Sequence, residues 1–132
     1  MKKIICALLL SFTFTFFSCT AVTSTEYPEP INFEELDDDP TLLTGEWDWV
    51  RETYYFTVDG KPSVRTPKST GIFKTLIFDS NGFIEFYEND ELVRVDSISG
   101  YFTSSQWGVN EDMFAISWAA SDGPEIVYRR IQ

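Results

Sequence analysis

Thr41-Leu42-Leu43-Thr44-Gly45-Glu46-Trp47-Asp48-Trp49-Val50 is the stretch that decides the fold of this chain. Before it lies a polar segment that contains prolines, and after it the sequence is rich in aromatic residues and turns. Trp47 and Trp49 alternate with Glu46 and Asp48, which is the period of a strand with one buried face. We therefore predict that an all-β domain begins here and extends over residues 41–132.

The rest of the domain shows the same pattern of short strands separated by turn residues. Gly, Asn, Asp and Pro cluster at Asp59-Gly60, Asp79–Gly82 and Ser121–Pro124, while residues 63–71 resemble a long exposed loop. Consecutive strands joined by short turns predict an antiparallel meander that closes into a small barrel or remains an incomplete half-barrel. Six strands are predicted: Glu46–Phe56, Ile72–Asp79, Phe83–Tyr87, Leu92–Phe102, Met113–Trp118 and Glu125–Ile131.

Composition limits the classes of function. The chain has 132 residues, enough for one small domain, and its aromatic fraction of 17% favours strands. The formal net charge of −11 would repel nucleic acid phosphates, so a nucleic-acid partner is not expected. The same charge argues against electrostatic adsorption to anionic lipid.

The first 18 residues have the features of an export signal. Lys2 and Lys3 precede an apolar run that is too short for a comfortable membrane span, and Ser18-Cys19 follows it. This ending resembles the lipobox of bacterial lipoproteins, although Phe16 stands where Leu is usual. The resemblance implies that Cys19 becomes a lipidated N-terminus, that residues 19–40 form a flexible tether, and that the protein is anchored in the outer membrane, on a face that the sequence leaves open.

The domain itself resembles the lipocalin-like lipoproteins of Bacteroidetes. The resemblance is carried by Gly45-Glu46-Trp47, by the 66–71 loop, by Lys74-Thr75-Leu76-Ile77-Phe78 and by Asn81-Gly82 before an aromatic strand. It implies that Trp47 is a structural plug at the closed end of the barrel, against Arg129 or Arg130. Family members usually have one or two further strands, so we expect either a truncated chain or a half-barrel that a second copy completes.

Catalytic chemistry is not expected. The chain has no His, and Cys19 would be consumed by lipidation, which removes the usual nucleophile–His and zinc arrangements. A carboxylate pair formed by Glu85 and Asp96 across neighbouring strands is the remaining catalytic candidate, and we expect no metal or other cofactor.

Two functions remain open. One is a lipid-anchored module that binds a small apolar or glycan ligand in the barrel mouth. The alternative is a solid barrel that recruits another envelope protein. The candidate ligand pocket is lined by aromatic residues, namely Tyr101, Trp107, Phe114 and Trp118.

Overall fold

The computed structural model describes residues 27–132. The predicted export signal, Cys19 and the first part of the predicted tether lie outside the described residues. Two short 3₁₀ turns, Phe33–Glu35 and Pro40–Leu43, precede the sheet. Two one-turn helices and a further 3₁₀ turn interrupt it: α1 (Pro67–Thr70), α2 (Ile98–Tyr101) and Ala119–Ser121. The strands are β1 (Gly45–Tyr54), β2 (Ser63–Arg65), β3 (Lys74–Phe78), β4 (Phe83–Glu88), β5 (Glu91–Ser97), β6 (Gln106–Val109), β7 (Met113–Ser117) and β8 (Glu125–Arg130).

The eight strands form one antiparallel sheet that does not close into a barrel. The strand order is β5-β4-β3-β1-β8-β7-β6, and β2 pairs with the second half of β1. The all-β meander is thus confirmed in its open, half-barrel form. β1 and β8, the first and last strands along the chain, pair with each other in the middle of the sheet. The two ends of the strand order are therefore β5 and β6, and the break in the barrel lies between them.

β1 organises the sheet because it pairs on both sides. Its first half faces β3, with Trp47 opposite Leu76, and its other edge faces β8, with Trp49 opposite Tyr128. Both tryptophans are buried on the inner face, as their alternation predicts. A bulge between Trp49 and Arg51 then shifts the register, which places Glu52 on the inner face beside Ile126.

The break between β5 and β6 is filled by aromatic side chains that follow α2. The ring of Phe102 stacks on Trp107 of β6, with centroids 4.5 Å apart, and packs against Phe78 of β3 at 6.3 Å. The prediction of a strand over Leu92–Phe102 is therefore wrong in its second half, because β5 ends at Ser97 and α2 follows. The Ser97 side chain accepts a hydrogen bond from the Gly100 amide and starts a helical turn instead.

The predicted long loop over residues 63–71 also contains regular structure. Residues 63–65 form β2 on the edge of β1, and α1 follows directly. Thr66 and Ser69 bond each other's backbone amides in a capping box, and Gly71 ends the turn in a left-handed conformation with φ of 70°. These local bonds explain why this polar stretch, which contains Pro67, is ordered.

The second half of the predicted tether lies against the outer face of the sheet. The amides of Asp37 and Val109 each donate to the other residue's carbonyl, at 2.9 and 2.8 Å. The Ile31 amide donates to the Glu125 carboxylate at 2.8 Å. Leu36 packs so closely on Gly108 that any side chain at position 108 would overlap it. The ordered domain therefore begins before residue 41.

Within residues 27–132, no helix is long and apolar enough to cross a membrane.

Candidate functional site

The inner face of the curled sheet contains a cavity of about 720 Å³. It lies between β3, β4 and β5 on one side and β8 on the other, beneath α2. It reaches toward the end of the sheet at which β1 finishes and β3 and β8 begin, which we call the Tyr54 end; the opposite end is the Trp47 end. Its main lining residues are Lys74, Leu76, Phe86, Arg94, Asp96, Tyr101, Trp118, Ile126 and Tyr128.

Aromatic rings form the walls of this cavity. Tyr101, placed by α2, meets Phe86 of β4 edge-to-face at a centroid distance of 5.0 Å. On the other side it meets Trp118 at 5.6 Å, also edge-to-face. Such pairs hold each other's orientation, so the three rings form a pre-shaped apolar surface.

Two tyrosine hydroxyls supply neutral polar groups inside the cavity. Burial raises the pKa of Tyr101 to about 12, and the nearby Glu52 carboxylate acts in the same direction, while the Tyr128 hydroxyl and Arg94 oppose it. Burial also raises the pKa of Tyr128 well above 10. Both phenols therefore keep their protons at physiological pH and can donate as well as accept hydrogen bonds.

Arg94 is the cation of the cavity that has no carboxylate partner. Its guanidinium lies 4.0 Å from the centroid of the Phe86 ring and 5.9 Å from that of Tyr101. Among the ion pairs of the described chain, which join other cations to Glu52 or Glu125, none involves Arg94. A guanidinium held flat on aromatic rings keeps its donors available to a ligand oxygen.

A charged cluster lies beside the cavity at the Tyr54 end. The buried Glu52 carboxylate accepts a hydrogen bond from the Tyr54 hydroxyl at 2.8 Å and is 3.8 Å from both Lys74 and Arg65. The Lys74 ammonium also lies over the ring of Trp49, 4.6 Å from its centroid. Lys74 is therefore already paired with Glu52 before any ligand arrives.

The four residues predicted to line a pocket separate into two pairs. Tyr101 and Trp118 line the cavity, whereas Phe114 is fully buried in the core and Trp107 is stacked on Phe102. Phe114 contacts the rings of Trp47, Phe78, Phe102 and Tyr128, which is the environment of a core residue.

Sequence reasoning missed Phe86, Arg94 and Tyr128, of which strand alternation with the buried Ile84 could have found Phe86. Phe86 alternates with Ile84, and Tyr128 pairs with Trp49 and Phe114. Arg94 follows from Phe86, its direct cross-strand partner, only once the register of β4 and β5 is known.

The carboxylate pair proposed as a catalytic candidate does not form. In the register of β4 and β5, Ile84 lies opposite Asp96 and Glu85 lies opposite Val95. Adjacent residues of a strand point to opposite faces, so Asp96 faces the cavity while Glu85 faces outward. Glu85 instead accepts a hydrogen bond from the Tyr87 hydroxyl at 2.8 Å. Within residues 27–132, no group of three His, Cys, Asp or Glu side chains is arranged to hold a metal ion.

The Trp47 end of the sheet is held by Arg130 rather than Arg129. The guanidinium of Arg130 covers the Trp47 ring at 4.1 Å and donates to the carbonyls of Leu42, Thr44 and Glu111. The Trp47 indole itself donates to the Leu43 carbonyl at 2.7 Å. Arg129 is exposed on the outer face. This end therefore offers a ligand no opening at Trp47.

Comparison with known proteins gives no match to a family model, a curated protein or a solved structure. The geometry of the cavity and the signals in the sequence are thus the basis for a functional proposal.

Proposed function

We propose that the chain is a lipid-anchored, non-catalytic lipoprotein of the cell envelope that resembles lipocalin-like proteins and binds one small ligand in its cavity. The observation that carries this proposal is the cavity of about 720 Å³, which has the size of a small-molecule site. Its aromatic walls suit an apolar body or the face of a sugar ring, and Cys19 supplies the anchor in the outer membrane.

The polar groups of the cavity define how a ligand would be held. Arg94 lies on the ring of Phe86 with its donors unpaired, and the two buried tyrosines add neutral hydroxyls. A ligand with an apolar or sugar body and one oxygen-rich group would satisfy both features. Arg94 is exposed in the free protein, so a ligand that covers it without offering an oxygen would leave its donors unpaired and would bind more weakly.

Tryptophan fluorescence tests the binding function. Trp118 lines the cavity, so a fatty-acid and glycan panel titrated into the chain from residue 20 onward, which retains every described element, should give a saturable change with at least one class. Replacing Arg94 by Ala should weaken that binding about tenfold, the effect of one charge-assisted hydrogen bond.

Arg129→Ala is the matched control, because Arg129 is an exposed cation on the outer face of β8. It should leave the affinity unchanged. A panel without any saturable response, or equal losses in the Arg94 and Arg129 variants, would contradict ligand binding in this cavity.

Incorporation of radiolabelled palmitate and sensitivity to globomycin test the anchor. The wild-type protein should be labelled and should remain with the membrane fraction. A Cys19→Ser variant that still incorporates palmitate would contradict lipidation at this residue.

The alternative function, recruitment of another envelope protein, is favoured by the free edge of β5. Val95 and Leu92 are about half exposed on this strand, which pairs only with β4. An exposed edge can accept a strand from a partner. Val95→Lys should abolish such pairing without affecting ligand binding, and co-purification of an envelope protein with wild type but not with Val95→Lys would support this alternative.

A further inference from the structure

Two exposed apolar side chains lie in the loop that follows β1 at the Tyr54 end. Phe56 is 66% exposed and Val58 is fully exposed. Single apolar residues on a surface are ordinary. These two differ because they are two positions apart in the same loop and because basic residues accompany them.

The charge around this loop opposes that of the whole chain. Residues 55–73 contain the basic residues Lys61, Arg65 and Lys68 and one acid, Asp59, whereas the chain as a whole has a net charge of −11. Lys61 and Lys68 are exposed, and neither forms an ion pair within the described chain. The segment 55–73 therefore has a net charge of +2 in a chain whose net charge is −11. We call its exposed residues Phe56, Val58, Lys61 and Lys68 the Phe56 surface.

The N-terminal segment leads back to the same end of the sheet. The Tyr55 hydroxyl lies 3.2 Å from the Glu125 carboxylate and 3.4 Å from the Pro28 carbonyl, and Tyr55 directly precedes Phe56. Eight residues lie between Cys19 and Pro28, so these two residues can be at most about 30 Å apart. A lipid anchor at Cys19 therefore keeps the Phe56 surface near the bilayer at high effective concentration.

We propose that the Phe56 surface contacts the lipid bilayer, with Phe56 and Val58 entering the headgroup region and Lys61 and Lys68 facing anionic headgroups. This inference rests on the proposed anchor at Cys19. Apolar side chains flanked by lysines are the combination that interfacial contact requires, because burial and electrostatic attraction act together.

Depth-dependent fluorescence quenching tests this contact in the lipidated protein. Val58→Cys is labelled with an environment-sensitive fluorophore and reconstituted in phosphatidylcholine vesicles that contain a minority of phosphatidylglycerol. Val95→Cys is the matched control, a valine that is 53% exposed on β5. Spin-labelled lipid should quench the fluorophore at position 58 at least about twofold more than at position 95, as shallow interfacial burial predicts.

A second substitution in the labelled protein identifies the contact. Phe56→Ser should reduce the quenching at position 58, whereas Phe83→Ser, at a phenylalanine that is 49% exposed at the other end of the sheet, should not. Equal quenching at positions 58 and 95 in a protein that sediments with the vesicles would overturn this inference and leave the anchor intact. A protein that stays in the supernatant would overturn both.

Discussion

Arg130 is the residue through which three separate parts of the chain are joined. Its guanidinium donates to carbonyls of residues 42, 44 and 111 and covers the ring of Trp47. Arg130→Ala should lower the free energy of unfolding by about 3 kcal/mol, because it leaves carbonyls unpaired and removes a cation–π contact. Urea unfolding followed by tryptophan fluorescence measures this loss.

Arg129 provides the control for that measurement because it is the neighbouring arginine and is exposed. Arg129→Ala should change the free energy of unfolding by less than about 0.5 kcal/mol, as surface substitutions do. Similar losses in both variants would show that Arg130 acts through general charge and not through its carbonyl contacts.

The buried tyrosines of the cavity make stability depend on alkaline pH. Burial raises the pKa of Tyr101 from 10 to about 12 and that of Tyr128 well above 10, so the unfolded chain releases these protons first. Their contribution to stability is complete below pH 10 and is lost as the pH rises through 12. We expect the urea midpoint to fall more steeply between pH 10 and 12 in wild type than in Tyr128→Phe. An identical slope in both proteins would contradict this assignment.

At the scale of elements, Gly108 allows residues 31–37 of the N-terminal segment to pack closely on the sheet. A Cβ atom at this position would lie 2.5 Å from the Cβ of Leu36, which is closer than side chains can approach. Gly108→Ala should therefore displace residues 31–37 and break the two hydrogen bonds between Asp37 and Val109. Amide exchange at these two residues should accelerate at least about tenfold, which corresponds to about 1.4 kcal/mol of local stability.

The amides of Trp47 and Leu76 serve as an internal reference for that exchange experiment. They belong to the pairing of β1 with β3, which the N-terminal segment does not touch. Their protection should be unchanged in Gly108→Ala. Unchanged protection at Asp37 and Val109 would show that the segment adapts to the added methyl group.

The sequence predicts the strands whose apolar and polar residues alternate. It does not predict the elements whose position depends on one particular contact. Trp47 with Trp49, and Leu76 with Phe78, occupy the predicted face because each strand buries one side. The helical turn of α2 is capped by a hydrogen bond that the Gly100 amide donates to the Ser97 hydroxyl, in a stretch whose composition also suits a strand. The contact of Leu36 with Gly108 joins residues that are far apart in the chain, and no local sequence pattern predicts it.

The candidate site was partly predictable for the same reason. Tyr101 and Trp118 are two of the four aromatic residues that the sequence predicts to line a pocket, but which rings line the cavity and which fill the core depends on register and curvature. Arg94 became part of the site only through its pairing with Phe86 across β4 and β5. The composition of the sequence does not predict the bulge at Val93 of β5 or the break in the sheet beside α2, both of which affect this register and curvature.

At the scale of the whole molecule, the main unusual property is the excess of negative charge. The chain has 21 acidic and 10 basic residues, and only three ion pairs form within residues 27–132. Some like charges lie directly opposite each other, as Glu88 and Glu91 do across β4 and β5, which destabilises the pairing. We therefore expect repulsion between charges to outweigh attraction in the folded state.

Salt should consequently stabilise this protein. Raising the ionic strength from about 0.01 M to about 1 M shortens the screening length from about 30 to about 3 Å, and we expect the thermal midpoint to rise by several degrees. The gain should be smaller in Glu91→Lys, because this substitution removes the repulsion opposite Glu88 and makes the net charge of the protein less negative. Calorimetric scans of both proteins in potassium chloride measure the difference. A midpoint that falls with salt would mean that the ion pairs around Glu52 and Glu125, rather than the excess of carboxylates, dominate the electrostatics of the fold.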